Sequence, residues 1–141
     1  MKLVDVNVLI YARDETSPHH RDAKHWLDRA LSGGTPVGFS WLALVGFVRL
    51  TTHPRVMATP LTAAEAMDTV GHWLSARSAH VLHPGPTHPQ LMRDLLQAAG
   101  AAGNLVNDAH LAALALEHKT SVVSFDDDFD RFPGVRWERP R

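Results

Sequence analysis

Four aspartates, Asp126, Asp127, Asp128 and Asp130, follow the β-branched pair Val122–Val123 in the stretch VVSFDDDFDRF. Two unit charges about 4 Å apart repel by roughly 4 kcal/mol at an effective dielectric near 20. Such side chains either splay into water or gather round something positive, and an acidic run taken alone is most often a solvated turn. Two further acids change the balance. Asp5 closes the apolar run KLV near the start, and Asp108 opens the segment NDAHLAALALEHK. If these acids meet, they make a site of oxygen ligands only. The chain has no cysteine, and its ten histidines show no zinc-like spacing. Hard divalent ions, Mg²⁺ or Mn²⁺, suit such donors and keep several waters. An ion held in this way binds phosphate, polarises a phosphoryl oxygen and makes a bound water more acidic. Phosphodiester hydrolysis is the matching chemistry. Neither GxxxxGK[ST] nor GxGxxG occurs, so nothing points to a nucleotide-cofactor loop.

For the acids to meet, the elements carrying them must end on one edge. KLVDV, Lys2–Val6, reads as a first strand. In SPHHRDAKHWLDRALSGG, Ser17 is placed to cap and Pro18 to occupy the first turn. Ala23, Trp26, Leu27, Ala30 and Leu31 form the apolar stripe, and Gly33–Gly34 stop the helix. PVGFS reads as a second strand. SWLALVGFVRLTTHP is apolar nearly all round, which predicts a buried or interface helix. Thr62 and Glu65 form a capping box opening a helix to about Ala76. HVLHPG reads as a third strand and turn, THPQLMRDLLQAAGAAG as a helix from Thr87, and the Asp108 segment as a helix from about Asn107. SVVSF and GVRWE supply the last two strands. Strands alternating with helices predict an α/β fold of three layers, a central parallel sheet flanked by helices. Ligands of such sheets lie beyond the carboxyl ends of the strands. Asp5, Asp108 and Asp126 all fall there.

Composition sets outer bounds. A chain of 141 residues with 45% hydrophobic and 21% charged residues fits one soluble domain, residues 1–141. No apolar stretch approaches the roughly 20 residues of a membrane span, and no signal-peptide pattern opens the chain, so a cytoplasmic protein is expected. The net charge of −1 argues against gripping nucleic acid by bulk charge. Setting aside Asp5, Asp108, Asp126 and Asp128 gives −1 + 4 = +3, a mildly basic remainder suited to a polyanion.

DVNVLIYA, with Asp5 and Asn7, NDAHLAALA, with Asn107, Asp108 and His110, and SFDDDFDRF, with Ser124, Asp126, Asp128 and Phe129, resemble the three signature segments of PIN domains. More narrowly they resemble the VapC-type toxins of bacterial toxin–antitoxin pairs, together with FVRLTTHPRV and FPGVRWERP. The resemblance implies a PIN-like fold and a Mg²⁺-dependent endoribonuclease, with Mn²⁺ able to substitute. It also implies an RNA substrate, tRNA or rRNA, a VapB-type antitoxin and a homodimer. Asp5, Asp108 and Asp126 match the metal ligands, and Asp128 is an accessory acid among the four catalytic candidates. Asp127 and Asp130 match nothing catalytic and are expected in solvent. One departure stands out. Family members usually carry a Glu six residues after a Ser on the third helix, and here Ser40 plus six is Gly46. That absence keeps a non-catalytic PIN-like module, binding RNA or antitoxin, as the rival reading.

Other residues carry lesser expectations. Asn7 is read as a helix-cap side chain or a support for Asp5, and His110 as structural. Arg13, Arg21 and Lys24 are the leading RNA-facing candidates. Arg49 either complements a helix dipole or, if it lies near the acids, binds phosphate. Trp41 and Phe47 are expected in the core, or in a dimer seam by the resemblance. A phosphoacceptor receiver domain is set aside because Asp5 lacks an acidic neighbour and no late strand leads to a Lys.

Overall fold

The computed structural model describes residues 1–141. Five short strands, β1 Lys2–Val4, β2 Val37–Phe39, β3 Ala79–Val81, β4 Ser121–Val123 and β5 Trp137–Glu138, form one parallel sheet in the order β3-β2-β1-β4-β5. The helices are α1 Val6–Arg13, α2 His20–Ser32, α3 Trp41–Thr51, α4 Ala63–Ser75, α5 His88–Ala99 and α6 Val106–Glu117. Short 3₁₀ turns cover Gly103–Leu105 and Asp127–Arg131.

Alternate residues of each strand point to opposite faces, so the sheet feeds two cores. Val4, Phe39 and Val123 pack with Val8, Leu27, Leu44, Phe47, Val70 and Trp73 of α1 to α4. Leu3 and Val122 pack with Leu95, Leu111, Leu114, Phe129 and Phe132, beneath α5, α6 and the second 3₁₀ turn. The chain thus winds from β1 through β2 to β3 with its connections on one face. It then returns over the other face to place β4 on the far side of β1. The winding reverses between β1 and β4, and a crevice opens at such a switch point beyond the strands' carboxyl ends.

The start of the chain departs from the sequence expectation. β1 ends at Val4 rather than Val6, and a helix follows at once, starting before Asn7. Asp5 has extended backbone, and its side chain accepts from Val6 N at 2.7 Å, which caps α1 and stops the strand together. Val6–Arg13 hides its helical nature because it is apolar on nearly every side. α2 starts at His20 rather than Pro18, because the Ser17 hydroxyl accepts from His19 N in a local turn. The capping box at Thr62 and Glu65 forms as expected. In α3, Ala43, Leu44, Phe47 and Thr51 are buried, while Trp41, Leu42 and Val45 face outward. Trp41, expected in the core, is 48% exposed.

Candidate active site

Asp5 and Ser124 stand at the ends of neighbouring strands, and a hydrogen-bond web joins them. The Ser124 hydroxyl donates to Asp5 Oδ2 at 2.7 Å and accepts from Asp126 N at 2.9 Å and Asn7 Nδ2 at 3.0 Å. Asn7 Oδ1 in turn accepts from Phe125 N at 3.1 Å. Asn7 therefore ties the first turn of α1 to the end of β4 and does not cap the helix; Asp5 does. Asp126 caps the following 3₁₀ turn, its Oδ1 accepting from Asp128 N at 2.9 Å. Ser124 is wholly buried and Asp5 nearly so. In this web the Ser124 hydroxyl ends on the Asp5 carboxylate and Asp128 N on that of Asp126, and the others hold Ser124 and Asn7 in place.

Asp108 enters from the first turn of α6, where the helix N-terminus favours negative charge. Its carboxylate, with those of Asp126 and Asp128, offers oxygens that lie within 4.8 Å of one another. Asp5 belongs to the same electrostatic group. Burial pushes the Asp108 carboxyl up to about 7, helped by the charges of Asp5 and Asp126, a hydrogen bond to Asp126 and the charge of Asp128. Burial also raises Asp5, against the lowering effect of its bonds from Ser124 and Val6. No Lys, Arg or His pairs with any of these four acids: the chain's three ion pairs all lie elsewhere. Carboxylates that crowd without a basic partner, held by donors that fix their direction, form an oxygen-ligand set suited to a hard divalent cation.

Asp5, Asp108 and Asp126 floor a cleft of about 320 Å³. Leu42, Ala43, Val45, Gly46, Arg49 and Leu50 of α3 form one wall, and Asn104 and Asn107 face it from the approach to α6 and its first turn. Gly46 therefore borders the acids, as the family spacing implied, and no carboxylate comes from this wall. A Cβ at Gly46 would meet Val6 Cγ2 at 3.2 Å, a tight but side-chain contact.

Several expectations need correction or completion here. Arg13 and Lys24 line a different groove, with Asp28, Glu65 and Asp68, and Lys24 pairs with Asp28 at 2.7 Å. The basic side chain that lines the acid cleft is Arg49. Asp127 and Asp130 are exposed, and Asp130 accepts from Trp137 Nε1 at 2.7 Å. His110 points away from the acids: its Nδ1 lies 2.8 Å from His88 Nε2, and His88 Nδ1 bonds Glu117. Glu117 also accepts from Gly85 N at 2.6 Å. The sequence reading missed His88 and Glu117. Their only signal was polarity on otherwise apolar helix faces.

The profile of the PIN domain family matches residues 2–135. The chain is 50% identical over 140 residues to ribonuclease VapC37 of Mycobacterium tuberculosis, spanning 99% of this chain and 97% of that one. It is 42% identical to ribonuclease VapC25 of the same organism, over 99% of both. Among solved structures, VapBC2 from Rickettsia felis, bound to a DNA fragment from its promoter, superimposes with a TM-score of 0.73. That match is 17% identical and covers 99% of this chain and 98% of that one.

Proposed function

Because this chain belongs to the PIN-domain family and, within it, to the VapC ribonucleases, we propose that it is the toxin of a toxin–antitoxin pair. It is an endoribonuclease that hydrolyses RNA phosphodiester bonds. Its partners are a VapB-type antitoxin, a second copy of itself in a homodimer, and RNA. Residues 1–141 act as one domain. No helix is long and apolar enough to cross a membrane, and we assign the protein to the cytoplasm, where RNA is met.

The observation that carries the reading is the crowding of Asp5, Asp108, Asp126 and Asp128 at the β1/β4 switch point with no basic partner. We assign Mg²⁺ to this group, with Mn²⁺ able to replace it, held by Asp5, Asp108 and Asp126, with Asp128 beside them. The ion supplies charge to polarise a phosphoryl oxygen and acidify an attacking water. The chain's own part is positional. Ser124 and Val6 N fix both oxygens of Asp5, while Asn7 locks β4 to α1 so that Asp126 keeps its place. Asp108, whose carboxyl holds a proton near neutrality without a cation, becomes a ligand once that proton leaves.

Gly46 favours the second reading, a module that binds RNA or antitoxin without cutting, because the α3 wall brings no acid to the cleft. One experiment separates the two. Purified protein is incubated with total RNA in Mn²⁺ or in EDTA, beside the Asp108→Asn variant. Cleavage only by wild type in Mn²⁺ is the expected result. Equal RNA integrity in all lanes, from folded protein, would establish the binding module.

A further inference from the structure

The α3 wall of the cleft repeats at helical spacing, Leu42, Val45, Gly46, Arg49, and is apolar until it reaches Arg49. That guanidinium stands one turn beyond Gly46 and is solvent-exposed. No carboxylate lies within ion-pairing distance of it. The influences on Asp108 are burial and three neighbouring acids, with no cation opposing them. Arg49 therefore borders the acid group without neutralising it. A helix dipole accepts a base anywhere in the last turn, which leaves its position on the cleft side unexplained. A strand of RNA entering this cleft brings phosphates that the four acids repel except where a cation bridges them. Arg49 is the one positive side chain of the lining, and guanidinium forks match phosphate oxygens.

We propose that Arg49 binds an RNA backbone phosphate adjacent to the one that is cut, fixing the strand's register over the acids. The proposal rests on the ribonuclease reading, but its test does not need catalysis. The probe is a fluorescent single-stranded RNA oligonucleotide, titrated at several salt concentrations in EDTA. The protein carries Asp108→Asn, which stops cleavage and lessens repulsion. Adding Arg49→Ala should weaken binding about tenfold at low salt and flatten the dependence of log K on log salt by about 0.7, one single-strand phosphate contact. Arg49→Lys should recover much of the affinity. Arg29→Ala, near Gly33 and Pro36 at the opposite end of the sheet, should change neither. In Mn²⁺ without the Asp108 change, Arg49→Ala should act mainly on KM. Unchanged affinity and salt slope in a folded Arg49→Ala protein would overturn the proposal, as would an equal loss from Arg29→Ala. Arg49-dependent binding together with no Mn²⁺-dependent cleavage would uphold the phosphate contact and sink the nuclease.

Discussion

Two polar clusters sit within this small fold, and they differ in how their charges close. The His88–Glu117–His110 cluster closes on itself: Glu117 accepts from Gly85 N and bonds His88 Nδ1, and His88 Nε2 lies 2.8 Å from His110 Nδ1. It clamps α5 to α6 and makes no demand on anything outside the chain. In the Asp5–Asp108–Asp126–Asp128 cluster, by contrast, backbone and hydroxyl donors aim the carboxylates but no base answers their charge. A buried polar group that satisfies itself is architecture. One that is satisfied in geometry and left unsatisfied in charge is built for a ligand.

Substitutions should pull the two clusters apart. Asp108→Asn should lower RNA cleavage by more than the about 100-fold that outer-shell changes around a metal cost, with the far-ultraviolet circular dichroism unchanged. Activity within tenfold of wild type would place the chemistry elsewhere. Glu117→Gln should do the reverse. It should cost roughly 1–3 kcal/mol in chemical denaturation, from a weakened buried hydrogen-bonded pair, while cleavage per folded molecule stays near wild type. Ser124→Ala belongs with the acids although Ser124 carries no charge. Loss of its bond to Asp5 should weaken Mn²⁺ binding about 10-fold or more by calorimetry.

Smaller effects appear in pH. Asp108 is raised from an ordinary carboxylate value to about 7, so between about pH 4 and 7 the metal-free folded chain holds a proton that the unfolded chain has released. Stability in EDTA must then fall as pH rises through that window. His110, lowered by burial and by His88, works the other way below its unfolded value near 6.5. Asp5, also raised by burial, works in the same direction as Asp108, so the difference between wild type and Asp108→Asn reads the Asp108 share. Discounted for the half-exposure of Asp108, the contribution is about 1 kcal/mol, roughly 3 °C in Tm. Wild type should melt below the variant at pH 7.5 and level with it at pH 4, and Mn²⁺ should reverse the gap at pH 7.5. The subtlest change is Gly46→Glu. If Val6 yields the few tenths of an ångström its Cγ2 contact requires, the new carboxylate joins the cleft and tightens Mn²⁺. Unchanged affinity in a folded variant would mean that Val6 holds the side chain out.

Much of this was readable in the residues. The alternation of strands and helices, the capping box, and the convergence of Asp5, Asp108 and Asp126 all rest on local signals whose causes are local. What was hidden had tertiary causes. α1 is apolar on nearly every side because it is packed against α2 and α3, so no periodic stripe announced it. The web through Ser124 and Asn7 joins residues 117 to 119 positions apart, and no spacing rule connects them. Arg13 is a leading RNA-facing expectation from the sequence and Arg49 a lesser one, yet it is Arg49 that lines the acid cleft. Only the path of α3 along the cleft separates them.

The same long-range bond gives the site a place in time. A ribosome adds the hydroxyl that orients Asp5 119 residues after Asp5 itself. Asp126, Asp128 and the β4 strand beside β1 arrive with it. Until then the nascent chain carries Asp5 and Asp108 but has no switch-point crevice to gather them. The acid cluster is thus incomplete until Ser124 and the acids that follow it have been made.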